Sequence, residues 1–394
     1  MAPGRGRPFP GRVSHLPPAG ITALAPGYPT SIMKWGKRDD MLVHEEEPFN
    51  AEPPTGALAG RFLTPLDAFY SRNHGPVPRI DAAAWRLEVD GLVERRLRLS
   101  LEELRSRFPE REVVATLQCA GNRRAELIEV RDIPGEDPWR SGAVSTARWT
   151  GVSLADVLAG AGLRPGAAHV SFTAPDVARE ADPPQPYGGS IPAAKAVAGE
   201  VLLAWAMNGH PLPAVHGAPL RVVVPGWIGA RSVKWLERVT ARADPSGNYF
   251  QAVAYRMSPP GADPSRSGPG TGIPLGPVAL TCDILSPEDG SRVPPGPTEI
   301  TGYAFAGGGH GVARVDVSSD AGRTWSQAEL DAPAHPWAWR LWRAVVVLSE
   351  GEADVLARAW DTAGATHPET PAALWNPKGY GNTSWGRLHL TCRR

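Results

Sequence analysis

Cysteine is scarce: the 394-residue chain has three, Cys119, Cys282 and Cys392, at unrelated spacings. That excludes a disulfide framework and a paired Cys-x-x-Cys zinc site, and it fits a reducing compartment. Net charge is also missing, with Lys+Arg and Asp+Glu both at 41. A nucleic-acid or membrane-surface partner held by bulk electrostatics is therefore not expected, and any cationic site must be local. No apolar run reaches the roughly 18 residues of a membrane span. Acidic residues are absent before Asp39, while Arg5, Arg7 and Arg12 sit among Pro and Gly. This stretch has neither the apolar core of a secretory signal nor a twin-arginine pair. The expectation is a cytoplasmic chain with a floppy N-terminal arm, organelle targeting staying open. There is no internal repeat.

What the chain has in quantity is glycine (43), proline (42) and tryptophan (14), with 42% hydrophobic residues. Spread through strand-like patterns, Gly and Pro mark the many turns of a β-rich globular protein rather than low complexity. Residues 1–50 read as an irregular Pro-rich arm, and 51–257 as a domain mixing strands with short helices. Trp85–Leu92 alternates at period two, as a half-exposed strand does. Ser100 with Glu103 makes a capping box that opens a short helix, and Ser153 with Asp156 repeats the device. Ala168–Phe172, Leu220–Val224 and Val233–Val239 read as further strands. Strands and helices lack the spacing of βαβ units, so the class is α+β rather than doubly wound. Residues 258–277, dense in Pro, Gly and Ser, read as a linker. In 278–394, short alternating segments such as Ala313–Ser318, Trp337–Trp342 and Val355–Asp361 predict an antiparallel, immunoglobulin-like β-sandwich. Its tryptophans are expected in core and interface.

Chemistry concentrates around Cys119, in Thr116-Leu117-Gln118-Cys119-Ala120-Gly121-Asn122-Arg123-Arg124. The apolar run Val113-Val114-Ala115 predicts a buried strand that ends in a tight turn at Ala120-Gly121-Asn122. Positive charge nearby favours a thiolate, and soft sulfur suits soft, redox-active metals. Cys119 is thus a candidate nucleophile or metal ligand, against the alternative of a buried structural cysteine. Other polar residues lack an evident structural reason. Arg72-Asn73-His74 sits in a loop, His216 and Arg221 flank a strand entry, and Arg231-Ser232-Val233-Lys234 follows a Gly-rich turn. An arginine inside an apolar strand needs an anion, and glycine lets the backbone approach one. Planar edges for Asn and His, with a phosphate for Arg, Lys and backbone N–H, would satisfy the set. For His74 or His216 alone, a satisfied core histidine is the plainer reading.

The Cys119 motif resembles that of the sulfite oxidase family, and the resemblance runs from Glu46-Glu47-Pro48-Phe49-Asn50-Ala51-Glu52-Pro53-Pro54 to the C-terminus. Its other carriers are Tyr70-Ser71-Arg72-Asn73-His74-Gly75-Pro76-Val77-Pro78, Tyr187-Gly188-Gly189-Ser190-Ile191-Pro192 and Met207-Asn208-Gly209. His216-Gly217-Ala218-Pro219-Leu220-Arg221 and Gly229-Ala230-Arg231-Ser232-Val233-Lys234-Trp235 complete them. The resemblance implies a mixed α/β molybdopterin-binding domain followed by a homodimerising immunoglobulin-like one. It implies molybdenum with molybdopterin as cofactor, Cys119 as the metal ligand, and oxidation of sulfite to sulfate by oxygen-atom transfer from a Mo-oxo centre. Arg72, Asn73, His74, Asp176, His216, Arg221, Ser232, Val233 and Lys234 match cofactor-holding positions. Arg72 and Arg124 match the sulfite-binding arginines, Trp139 the pocket tryptophan (one residue further from the cysteine than in the family), and Tyr187 the active-site tyrosine.

One departure stands near the C-terminus. Where the eukaryote-type pattern has an arginine in Asn-Leu-Arg-Gly, this chain has Trp375-Asn376-Pro377-Lys378-Gly379-Tyr380. Lys378 keeps the charge and loses the bidentate fork. The competing readings are a nitrate reductase-like or other oxyanion oxotransferase of the same fold, and a non-catalytic molybdopterin-binding member. The family's nitrate reductases tend to carry another residue where this chain has Tyr187, and no flavin or nicotinamide fingerprint follows the sandwich. The pocket arginines and the cysteine are present, against the non-catalytic reading. No b-type cytochrome segment precedes residue 50 and no Cys-x-x-Cys-His occurs, so no haem is expected, and electrons are expected to pass to oxygen or to a separate acceptor protein.

Overall fold

The computed structural model of the protein describes residues 32–258 and 271–394. In chain order, the N-terminal body carries a hairpin of β1 (Leu42–Glu46) and β2 (Phe49–Glu52), then β3 (Leu87–Gly91), β4 (Leu97–Leu99) and α1 (Leu101–Arg107). There follow β5 (Glu110–Gln118), α2 (Arg124–Val130), β6 (Val144–Ser153), α3 (Leu154–Ala161), β7 (His169–Ala178) and β8 (Gln185–Pro192). The body closes with β9 (Leu202–Met207), β10 (Arg221–Val223), β11 (Arg238–Arg242) and α4 (Tyr249–Ala252). One sheet runs β8-β7-β11-β3-β4, and β6 joins β5 to β9 in a second, which β10 extends. Pairing is antiparallel except between β11 and β3. The two sheets share one core, with Leu87, Val89, Phe172 and Val239 packing with Val152, Leu203 and Val222. Strands with few βαβ crossovers make this an α+β fold, as the missing spacing predicts.

Local signals hold where backbone chemistry decides. The Ser100 hydroxyl accepts from Glu103 N at 3.1 Å, and the Glu103 carboxylate accepts from Ser100 N at 2.7 Å. The expected second box does not form: Ser153 caps through Ala155 N, while Asp156 turns to pair with Arg111 at 3.1 Å. The strand expected over Val233–Val239 starts only at Arg238, because Lys234 and Trp235 bend into a loop, Trp235 holding φ 51. Residues 32–50 are not an irregular arm. Phe49 and Ala51 of the hairpin are 2% and 0% exposed, and Ala51 bonds Ser71 in both directions at 2.9 Å. An apolar alternation too short to score as a strand thus gains its order from the body it docks on. Residues 1–31, the rest of the expected arm, and 259–270, the centre of the expected linker, lie outside the described residues. At the linker's ends, Arg256–Met257 pairs with Ile273–Pro274.

The C-terminal body is a β-sandwich. It contains β12 (Thr281–Ser286), β13 (Gly296–Phe305), β14 (Val312–Ser318), β15 (Arg340–Leu348), β16 (Gly351–Asp361) and β17 (Gly386–Cys392). β12-β13-β15 forms one sheet and β17-β16-β14 the core of the other. Ile300, Val315, Trp342, Val355 and Leu390 fill the space between them. Cys282 and Cys392 are fully buried in this core and pack as small apolar groups. Trp339 packs instead in the core of the N-terminal body, where its N–H donates to Phe62 O at 2.9 Å.

Arg123 ties the two bodies together. It is 1% exposed, its guanidinium donates to Ser384 O at 2.7 Å and Trp385 O at 2.9 Å, and it lies 3.6 Å from the buried Asp283 carboxylate of β12. Arg123→Ala leaves that carboxylate buried without its cation, a change that costs about 3–5 kcal/mol in comparable pairs. Denaturant unfolding should show this loss, with Arg123→Lys recovering part of it; unchanged stability in Arg123→Ala would reject the clamp.

Candidate active site

β5 ends at Gln118, and Cys119 is the first residue beyond it. Its N–H donates to Ala143 O at 2.9 Å, which fixes the turn to the start of β6, and Gly121 N donates to its Sγ at 3.4 Å. Arg123 caps α2 in the left-handed region (φ 62), so the chain reverses between two adjacent arginines. Arg123 goes to the sandwich and Arg124 returns toward Cys119. Two glycines make the slot for Arg124: a Cβ at Gly121 would lie 2.4 Å from its Nη2, and one at Gly379 would lie 2.5 Å from its Cγ. The guanidinium donates to Lys378 O at 3.0 Å and Asp137 O at 2.9 Å, and pairs with Glu136 at 3.2 Å.

Cys119 opens into a cavity lined by Arg72, Asn73, His74, Asp176, Tyr187, His216, Arg221, Ser232 and Lys234, residues from loops and strands up to 162 positions apart. Val233 is the exception: it is 1% exposed in the main core, and its carbonyl accepts from Val222 N. Lys234 reaches across to Arg72 O at 3.0 Å, Val215 O at 3.1 Å and the Asn73 amide oxygen. Arg221 donates to His216 O at 3.0 Å and Ser232 O at 2.9 Å, and lies over Trp149. Each cation thus stitches loops together while lining the same space. Burial pushes Lys234 well below its ordinary pKa and raises the Asp176 carboxyl to about 7 against the pull of Lys234. Burial also pushes the Cys119 thiol up, with Arg124 and Arg72 acting in the opposite direction. The electropositive loop alone does not outweigh desolvation; a bound cation would.

A smaller recess adjoins this cavity and shares Arg72, His74, Cys119 and Tyr255 with it; Arg124, Glu136, Glu180 and Lys378 supply its other charged groups. Lys378 is half exposed at its side chain, with Nζ 2.7 Å from Glu136. One expected pocket residue sits elsewhere. Trp139 is fully buried behind Cys119, in contact with His44 at 4.6 Å between ring centres, and lines neither space. The aromatic rings of the recess are those of Tyr255 and Tyr380, stacked 5.3 Å apart, with Tyr249 and Phe250. Tyr187 lines the cavity but not the recess; its hydroxyl donates to Ala230 O at 2.8 Å and its ring stacks on His74 at 4.6 Å. The hydroxyl at the junction is instead that of Tyr255, 2.7 Å from His74 Nε2. Nothing in Val253-Ala254-Tyr255-Arg256 marked that tyrosine, which is placed by the turn after α4 (φ 53).

Lys37 was also invisible in the sequence. It is 1% exposed and reaches Leu66 O at 2.8 Å, Phe69 O at 2.6 Å and His216 Nε2 at 2.8 Å. Burial lowers the Lys37 pKa to about 7; as an ammonium it has only donors, and His216 then accepts at Nε2 with its proton on Nδ1. Burial first, then Lys37, holds the His216 pKa well below the ordinary value.

Residues of this kind fit a pterin with a phosphate tail. The Asp176 Oδ1 atom is buried without a hydrogen-bond partner among the described residues, which suits the N–H edge of a heterocycle. Arg221 and Lys234 on the same wall supply charge for a phosphate, and Cys119 supplies a soft metal ligand.

The family model for the oxidoreductase molybdopterin binding domain matches residues 74–250, and that for the Mo-co oxidoreductase dimerisation domain matches 277–393. The fold and cavity therefore define a molybdopterin-dependent oxidoreductase. The chain is 47% identical over 358 residues to sulfite oxidase of Gallus gallus, covering 88% of this chain and 77% of that one. It is 43% identical over 362 residues to mitochondrial sulfite oxidase of Rattus norvegicus, covering 89% of this chain and 65% of the rat protein. The crystal structure of the sulfane dehydrogenase SoxCD from Paracoccus pantotrophus superposes with a TM-score of 0.76 at 26% identity, over 95% of this chain and 92% of that one. The chain belongs to the sulfite oxidase family.

Cys119→Ser exchanges a soft sulfur for a harder oxygen at the residue that would ligate the metal. The variant should fold and retain pterin but lose molybdenum, as read by elemental analysis and pterin fluorescence on the same sample. A full complement of molybdenum in Cys119→Ser would reject the ligand assignment.

Proposed function

We propose that the chain oxidises sulfite to sulfate, passing the electrons to oxygen or to a separate acceptor protein. One observation carries this reading: Arg72, Arg124 and Lys378 converge on a recess that opens onto Cys119. Molybdopterin with molybdenum supplies the two-electron oxygen-atom-transfer chemistry when bound. Asn73, His74, Asp176, His216, Arg221, Ser232 and Lys234 would hold the pterin, and Cys119 would ligate the metal. The guanidinium groups bind the oxygens of the substrate and leave its sulfur lone pair facing inward, since an oxyanion held by its oxygens presents its remaining apex. Tyr255 and His74 form the one hydroxyl–imidazole pair at the junction of recess and cavity among the described residues, suited to hold or move a proton at the Tyr255 oxygen. Burial raises the Tyr255 hydroxyl well above its ordinary range and keeps His74 neutral, so the proton rests on the tyrosine at neutral pH.

No helix among the described residues is long and apolar enough to cross a membrane. The rat relative is named as mitochondrial, so the compartment of this chain is not narrowed to the cytoplasm expected from the sequence. A match to a dimerisation domain supports a homodimer built through the sandwich.

Each guanidinium-to-oxyanion bond is worth about 1.5–3 kcal/mol. Arg124→Ala should raise the KM for sulfite roughly ten- to hundredfold, at about 1.4 kcal/mol per decade. Steady-state kinetics with ferricyanide as acceptor check this, and an unchanged KM would remove sulfite as the substrate of this recess. Light scattering at micromolar concentration should return twice the 42.0 kDa chain mass; a clean monomer would sink the dimer.

A further inference from the structure

We propose that Glu136 is a specificity-determining residue of the recess: its carboxylate bridges Arg124 and Lys378 and competes with substrate and product for the same two cations. Glu136 sits in the Gly135-Glu136-Asp137 loop between α2 and β6, and its side chain is 14% exposed. One oxygen lies 3.2 Å from Arg124 Nη2 and the other 2.7 Å from Lys378 Nζ. Glu180, in the same lining, plays a looser part, 4.0 Å from Arg72 and 3.6 Å from His74. The recess therefore does not offer bare positive charge. Three cations, Arg72, Arg124 and Lys378, face two carboxylates, Glu136 and Glu180.

A carboxylate and a sulfur oxyanion present cations with similar pairs of oxygens, so they compete for the same donors. An incoming oxyanion with two or more oxygens can take over both contacts, whereas a spherical anion such as chloride replaces at most one. The same balance acts on product. Sulfite and sulfate carry like charge, so a recess holding one tightly would hold the other, and uniform tightening does not speed turnover. By placing a like charge beside the bound anion, Glu136 weakens both and lets sulfate leave. The geometry stands independently of the reaction; the name of the anion rests on the sulfite-oxidising reading.

The test is calorimetric titration of sodium sulfate into the molybdenum-loaded protein at constant ionic strength, with sodium chloride in parallel, for wild type, Glu136→Gln and Glu136→Asp. Removing a like charge next to a bound anion should tighten sulfate by about tenfold in Glu136→Gln, and chloride should compete better than in wild type. Glu136→Asp, which keeps the charge, should stay near wild type. In sulfite kinetics, KM and the sulfate inhibition constant should both fall in Glu136→Gln, with kcat falling as release slows. Sulfate affinity that is unchanged or weaker in Glu136→Gln overturns the proposal. Lys378→Gln guards against a folding artefact: in that background Glu136→Gln should have a smaller effect, because half of the bridge is gone, and an undiminished effect also overturns it. If loaded wild-type protein fails to oxidise sulfite while Glu136→Gln still tightens sulfate, the reaction assignment falls and the bridge stands.

Discussion

The site depends on one backbone reversal. At Arg123 the chain enters the left-handed region, which an arginine adopts only against a steric cost, and two neighbouring cations part company. One side chain is consumed by structure, pinned between Glu126, Asp283 and the carbonyls of Ser384 and Trp385. The other is delivered to the recess beside Cys119, through a slot that only glycine at 121 and 379 leaves open. Because Gly379 and Lys378 O come from the C-terminal body, the substrate-side wall is complete only when the two bodies are docked. The Arg123 clamp is therefore a condition for the recess as well as for stability.

Desolvation sets the chemistry on the cofactor side. Lys37, Lys234 and Arg221 are buried, and burial lowers the pKa of each. Each spends at least two donors on backbone carbonyls, and Lys37 and Lys234 each add a side-chain contact, to His216 and Asn73. The unbalanced remainder is an orphan Asp176 oxygen, a thiol pushed up by burial, and a surplus of cations over carboxylates on one wall. Such a set is costly without a ligand and favourable with an anionic heterocycle carrying a metal, which ties the family's cofactor to features of this molecule itself.

The substrate side is balanced differently. Its cations are met by carboxylates on mobile-length side chains, Glu136 and Glu180, and its aromatic floor is built from Tyr255 and Tyr380. Cofactor residues are locked by carbonyls; on the other side Arg124 keeps two carbonyl contacts as well, and it is the Glu136 contacts to Arg124 and Lys378 that an oxyanion can replace. Retention suits a cofactor, and exchange suits a substrate.

Local periodicity and short motifs were enough for the α+β class, the sandwich, the Cys119 turn and the capping box at Ser100, while most of the cavity wall was legible only through the family resemblance that those motifs carry. Pairings between distant residues were not legible in that way. Lys37 lies in a stretch with no helical or strand signal of its own, yet its amine meets the His216 ring, 179 residues away. Tyr255 stands in an unremarkable turn and becomes the junction hydroxyl, while Tyr187, inside a clear motif, spends its hydroxyl on Ala230 O. Trp139 is withdrawn into the core, and the Ser153 box yields to an Asp156–Arg111 pair. Composition and spacing register which groups exist and how the chain bends nearby; which donor meets which acceptor follows from packing two sheets and a sandwich around one core, and that is a long-range property of the fold.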